Sequence, residues 1–154
     1  ATYTCEYGFA LNGSSTLVCQ ADQTWNGTSP VCDRIVCPVL EPPDNGVFVE
    51  NIPAEELFVD TTLTVECNSG YELSSGPANL TCQQSGNWDN TSIPVCSKLS
   101  CPVLPEIANG TLTLTEGSLY ESIATYTCEY GFALNGSSTL VCQADQTWNG
   151  TLPV

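Results

Sequence analysis

The sequence predicts an all-β chain of small disulfide-stapled modules arranged end to end as an extended rod. Three observations carry that expectation. Ten Cys occur in 154 residues, a density that points to a disulfide scaffold rather than to catalytic thiols. Short runs alternate apolar and polar residues as half-buried strands do, and no segment carries a convincing 3.6-residue apolar period. The chain also repeats itself. Ala1–Val31 returns as Ala124–Val154 at an offset of 123 residues, with Ser29 against Leu152 as the one difference. A fixed period of this kind is the mark of a tandem array.

The Cys residues order the chain from its start. Residues 1–32 hold Cys5, Cys19 and Cys32 and read as the C-terminal part of a module, here called B. Residues 33–36 (DRIV) form a short linker. Residues 37–96 are a complete module, A, with Cys37, Cys67, Cys82 and Cys96. Residues 97–100 (SKLS) are a second linker. Residues 101–154 are module B again without its last Cys, and hold Cys101, Cys128 and Cys142.

The two module types are related. CPVLEPPDNG (Cys37–Gly46) aligns without a gap with CPVLPEIANG (Cys101–Gly110), and LTVECNSGYEL (Leu63–Leu73) with ATYTCEYGFAL (Ala124–Leu134). Thr62–Glu66, Thr111–Thr115 and Ala124–Thr127 predict strands by their alternation. Asn12-Gly13-Ser14-Ser15, Pro42-Pro43-Asp44-Asn45-Gly46 and Ser74-Ser75-Gly76-Pro77 predict turns. A module of about 55–60 residues is too small for a robust core without staples. Two disulfides per module, each worth about 2–4 kcal/mol, supply them.

Composition excludes several classes of function. Seventeen acidic residues face two basic ones, Arg34 and Lys98, for a net charge of −15. Nucleic acid is an unsuitable partner, because its binding rests on Lys and Arg neutralising phosphates. Heparin and anionic membranes are disfavoured for the same reason. A zinc site fails because there is no CxxC pair and no His. The acids are scattered, with no spaced Asp loop of the calcium-binding type. No stretch approaches the roughly 20 apolar residues of a membrane helix, so this segment does not insert in a membrane. Catalysis is not expected, since there is no His to act as base and the carboxylates are unclustered. No metal and no cofactor is implied.

Several motifs lie at matching places in A and B. Asn-Gly follows the first Cys at Asn45-Gly46 and Asn109-Gly110. The second Cys opens Cys-x-x-Gly-aromatic-x-Leu, at Cys67, Gly70, Tyr71 and Leu73, and at Cys128, Gly131, Phe132 and Leu134. A Trp follows the third Cys (Trp25, Trp88, Trp148), and Pro-Val precedes the fourth at Cys32 and Cys96. In these features the chain resembles the sushi modules, also called complement control protein or short consensus repeats, over essentially its whole length.

Four Cys by themselves allow three connectivities. The resemblance implies pairing of first with third and second with fourth, hence Cys37–Cys82, Cys67–Cys96, Cys5–Cys32 and Cys101–Cys142. Cys19 then requires a partner before Ala1 and Cys128 one just past Val154. Both ends of the chain are therefore expected to be boundaries within a longer array. Trp25, Trp88 and Trp148 are expected to pack in the core beside a disulfide rather than to serve as ligand platforms, and Tyr71 and Phe132 to add bulk to that core.

Seven Asn-x-Ser/Thr sequons occur, at Asn12, Asn26, Asn79, Asn90, Asn109, Asn135 and Asn149. Most sit beside Gly in expected turns, so a coat of covalent glycans is expected. Glu50–Asp60 is the largest difference between A and B, in a segment that the resemblance makes a variable loop. Leu57 and Phe58 there form either a contact patch or an inward-turned strand, and the inward arrangement is the expected one.

An extracellular setting, secreted or cell-surface, follows from the disulfides. Two non-enzymatic functions compete. One is a structural glycoprotein, a glycan-coated fibril, stalk or filament whose partners are neighbouring copies of the same repeat, head to tail. The other is a recognition array, a complement-regulator-like, receptor or adhesion protein that binds other extracellular proteins. Reuse of one unit almost unchanged suits length, spacing or multivalency, so the sequence favours the fibre.

Overall fold

The structure is a computed structural model and describes residues 1–153. Val154 lies outside the described residues. The fold is all-β, with strands and a single 3-10 turn at Ala54–Glu56 among the described residues.

β1 (Phe9–Asn12) and β2 (Val31–Arg34) pair antiparallel, from Phe9 opposite Arg34 to Asn12 opposite Val31. β3 (Gly46–Phe48), β4 (Thr62–Cys67) and β6 (Asn79–Thr81) form a three-stranded sheet in the order β3-β4-β6. β5 (Tyr71–Ser75) pairs with β7 (Val95–Lys98), with a bulge between Leu73 and Ser75. β8 (Gly110–Leu114), β9 (Ile123–Cys128) and β10 (Thr139–Val141) form a sheet in the order β10-β9-β8.

The expected strands are present, moved by a residue at some ends. β4 and β9 share one burial pattern, and their alternation is the physical content of the sequence signal. Leu63 and Val65 turn inward from β4, Ala124 and Tyr126 from β9. Threonines on the opposite faces pair across strands: the Thr62 and Thr81 hydroxyls are 3.1 Å apart, those of Thr111 and Thr127 2.6 Å.

The chain falls into two compact units. One comprises Ala1–Pro42, Phe48–Val65 and Pro77–Ile93. Its core gathers Cys37, Leu57, Leu63, Leu80, Cys82 and Trp88, with Leu40, Phe48 and Ile52 against them. The other comprises Pro43–Val47, Glu66–Gly76 and Pro94–Val154. Its core is Leu104, Ala124, Tyr126 and Leu140, supported by Ile107, Leu112, Leu134 and Trp148. The Tyr126 hydroxyl donates to the Pro105 carbonyl at 2.9 Å, which satisfies the one polar atom of a 1% exposed ring.

The Asn-Gly turns have a plain physical cause. Asn45 and Asn109 take left-handed φ values of 58° and 52°, a region Asn tolerates better than most residues. Their carbonyls accept the amides of Asn68 and Glu129, each at 2.8 Å. The following Gly permits that approach. A Cβ on Gly46 would lie 2.9 Å from the Cys96 sulfur, and one on Gly110 would lie 2.7 Å from the Thr127 carbonyl oxygen.

Candidate functional site

The half-cystines are the first candidates. The structure joins Cys5 to Cys32, Cys37 to Cys82, Cys67 to Cys96, and Cys101 to Cys142. Their Cα separations of 5.7–5.9 Å lie within ordinary disulfide geometry. Cys19 and Cys128 are free, the first exposed and the second partly buried.

Each Trp that follows a third Cys makes a backbone bridge to it: Trp25 to Cys19, Trp88 to Cys82, Trp148 to Cys142. The Trp88 and Trp148 indoles donate to the Pro38 and Pro102 carbonyls, both at 2.8 Å. Trp88 is buried. Trp25 is 52% exposed, against the expectation that all three lie in a core. The reason is local: residues 1–32 contain no counterpart of the Cys37–Leu40 or Cys101–Leu104 strip that covers the other two rings.

Two more aromatic expectations change. Phe132 is 56% exposed rather than core-forming. The same FALN sequence is β1 at Phe9–Asn12, where β2 pairs with it. At Phe132–Asn135 no described segment does so, and no strand forms. Tyr71 is only half-buried and meets the Tyr120 ring edge-on, with centroids 5.8 Å apart.

All seven sequon Asn residues are exposed. Their side chains are not equally free. Asn26 and Asn149 use Oδ1 to accept the amides of Val18 and Val141, at 2.9 and 2.6 Å. Module A places Asp89 at the same position, accepting from Thr81 at 2.9 Å. Among the described residues no hydrogen bond engages Nδ2, the atom an N-glycan uses, at Asn26 or Asn149. Asn90 accepts the Ser92 amide in the same manner at 2.9 Å. Asn12 differs, since its Nδ2 donates to Asp33 at 2.8 Å.

The Glu50–Asp60 segment is neither a patch nor a strand. It is a loop with the 3-10 turn at its centre, and Leu57 is buried at 3% while Phe58 is half-buried. Leu57 is thus inward, as expected, but through a turn. Glu50 anchors the loop: its carboxylate accepts the Thr64 amide at 2.6 Å and the Thr64 hydroxyl at 2.7 Å. Those two bonds, the amide first, hold the Glu50 pKa below its ordinary value. No group of three His, Cys, Asp or Glu placed to hold a metal ion occurs among the described residues. Among the described residues no helix is long and apolar enough to cross a membrane.

Comparison with known proteins places these features in a family. The model of the Sushi repeat (SCR repeat) matches residues 1–32, 37–96 and 101–154. The chain is 32% identical to E-selectin of Sus scrofa over 98% of its own length and 31% of that protein. It is 35% identical to the sushi, von Willebrand factor type A, EGF and pentraxin domain-containing protein 1 of Mus musculus, over 99% of the chain and 4% of that protein. It is 33% identical to complement receptor type 2 of Mus musculus, over 99% of the chain and 16% of the receptor. The chain therefore spans less than a third of these relatives' length. Its setting is extracellular, secreted or cell-surface. With three matching segments across nearly every residue, the chain belongs to the Sushi repeat (SCR repeat) family.

Proposed function

We propose that this chain is a non-enzymatic recognition or adhesion segment of an extracellular protein, which binds other extracellular macromolecules through its module surfaces. The observation that carries this reading is the alignment over 98–99% of the chain with a selectin and a complement receptor. It replaces the fibre reading, which rests on the 123-residue repeat alone and draws no support from the relatives. Within a recognition array the repeat supplies multivalency, because the B sequence occurs twice on one chain.

Charge narrows the partner. Seventeen acidic and two basic residues favour a basic face on the ligand and a salt-sensitive encounter. N-glycans at the exposed sequons mask part of the surface, with Asn26, Asn90 and Asn149 each held by a bond at Oδ1. The deciding experiment presents the glycosylated chain, secreted from a eukaryotic host, to arrays of extracellular proteins and glycans. Electron microscopy follows its assembly state. Saturable binding by a non-assembling chain is the expected result; fibrils with no ligand captured would overturn the proposal and restore the fibre.

A further inference from the structure

Only two basic residues exist in the sequence, and both stand at the same place: Arg34 is two residues after Cys32, Lys98 two after Cys96. Each lies in a linker, and each linker makes the same backbone bonds. The third linker residue donates to the Gly of the preceding Cys-x-x-Gly: Ile35 to Gly8 at 2.9 Å, Leu99 to Gly70 at 2.8 Å. The first Cys of the next module donates into that module's loop, Cys37 to Leu57 at 2.8 Å and Cys101 to Ser118 at 2.7 Å. Isolated bridges follow, Val36 with Phe58 and Ser100 with Leu119. Each junction lies within a single compact unit.

The loop entered in this way presents an acid in an unusual conformation. Asp60 and Glu121 occupy equivalent positions, with amides donating to the carbonyls of Cys82 and Cys142 at 2.8 and 2.9 Å. Both are left-handed, at φ 70° and 69°. Glycine takes this region freely, whereas a long side chain such as Glu adopts it at a cost. Both acids reach back to the preceding module. Asp60 accepts the Tyr7 hydroxyl at 2.9 Å, and Glu121 lies 3.5 Å from the Lys98 ammonium.

We propose that each linker is a latch that holds consecutive modules in a set orientation: at the second, Lys98 pairs with the left-handed Glu121, and at the first, Arg34 and the left-handed Asp60 act through separate contacts, Asp60 through the Tyr7 hydroxyl. The two latches differ in their second contacts. Arg34 stacks over the Phe58 ring, 3.9 Å from its centroid, while Gln84 accepts the Gly8 amide at 2.6 Å. Lys98 bonds Glu116 at 2.7 Å, a contact that also raises the pKa of its ammonium. There the Tyr120 ring lies against Gly70, where any Cβ would run into it. The inference stands apart from the ligand reading: it concerns how the modules are spaced, whatever they bind.

The test reads amide hydrogen exchange in the 154-residue chain by NMR. Leu99 and Tyr120 report the latch, because Leu99 donates to Gly70 and Tyr120 donates to Leu99; Tyr126 reports the module core. Lys98→Gln is expected to speed exchange at Leu99 and Tyr120 by about two- to fivefold, the scale of an exposed ion pair, and to leave Tyr126 unchanged. Wild type in 1 M salt, where the Debye length is about 3 Å, is expected to match the variant. Glu121→Gly separates latch from scaffold. It relieves the left-handed strain, so the melting temperature holds or rises while the linker amides still exchange faster. Linker exchange that ignores both salt and Lys98→Gln overturns the proposal. So does a Glu121→Gly variant whose linker amides keep the wild-type rate.

Discussion

Glu50 shows how one side chain carries both a loop and a pH response. Its folded pKa lies below its unfolded value, because the Thr64 amide and hydroxyl both donate to the carboxylate. The stabilisation is therefore fully present above the unfolded Glu value of about 4.3 and disappears as pH falls through the lower, folded one. Glu50→Gln is expected to flatten the stability-versus-pH curve in that acid window relative to wild type, read from urea midpoints at a series of pH values. An unchanged slope would remove Glu50 from the account. The Asn-Gly turns behave differently. The steric reason for Gly110 is the Thr127 carbonyl 2.7 Å from a would-be Cβ, so Gly110→Ala is expected to cost about 1–3 kcal/mol. Asn109→Gly, which keeps the left-handed φ, is expected to stay within about 1 kcal/mol. Denaturant melts of the two variants check this ordering.

At the scale of elements, the Trp side chains separate position from environment. Trp88 is 7% exposed and its indole N–H is bonded to Pro38 at 2.8 Å, while Trp25 is 52% exposed with no such strip above it. Trp88→Ala is expected to cost about 3–5 kcal/mol, the range for a buried aromatic. Trp25→Ala is expected to cost less than about 1 kcal/mol. Chemical denaturation of both variants measures the contrast, and equal losses would contradict it. The same pair shows what was legible beforehand. β4 and β9 were readable because alternation of Leu63 with Thr64 and Val65, or of Ala124 with Thr125 and Tyr126, is a property of the local sequence. Trp25, Phe132 and Tyr71 lie outside the expected core because their burial depends on segments distant in sequence: a covering Cys-Pro strip, a β2 partner, and the Tyr120 ring. Leu57 lies inward as its sequence context implies, but the turn that takes it there is not legible, since three residues of 3-10 geometry leave no periodic trace. The latch leaves no sequence signature for a related reason: Arg34 and Lys98 are the only cations in the sequence, and their shared role needs the geometry of the loops they face.

For the whole molecule, covalent cross-links rather than apolar mass set stability. Fifteen apolar residues are buried among the described residues, and five of them are half-cystines: Cys37, Cys82, Cys96, Cys101 and Cys142. Removing a disulfide therefore removes a tether and a piece of core together. The Cys37–Cys82 bond closes the longest span, with a sequence separation of 45. Loop-closure entropy for such a span is worth about 4 kcal/mol in the chain-entropy model. That is comparable with the whole stability expected of a module this small. Replacing Cys37 and Cys82 by Ala is thus expected to unfold the core of Leu57, Leu63, Leu80 and Trp88. The core of Leu104, Ala124, Tyr126 and Leu140 shares none of these residues, and it is expected to persist, held by Cys101–Cys142. Tryptophan and tyrosine signals tell the two outcomes apart. Trp88 fluorescence shifts to that of a solvated indole, while the amide of Tyr126 keeps its protection from exchange. Simultaneous loss of both signals would show that the two cores fold as one cooperative unit. Retention of both would show that packing alone sustains the module.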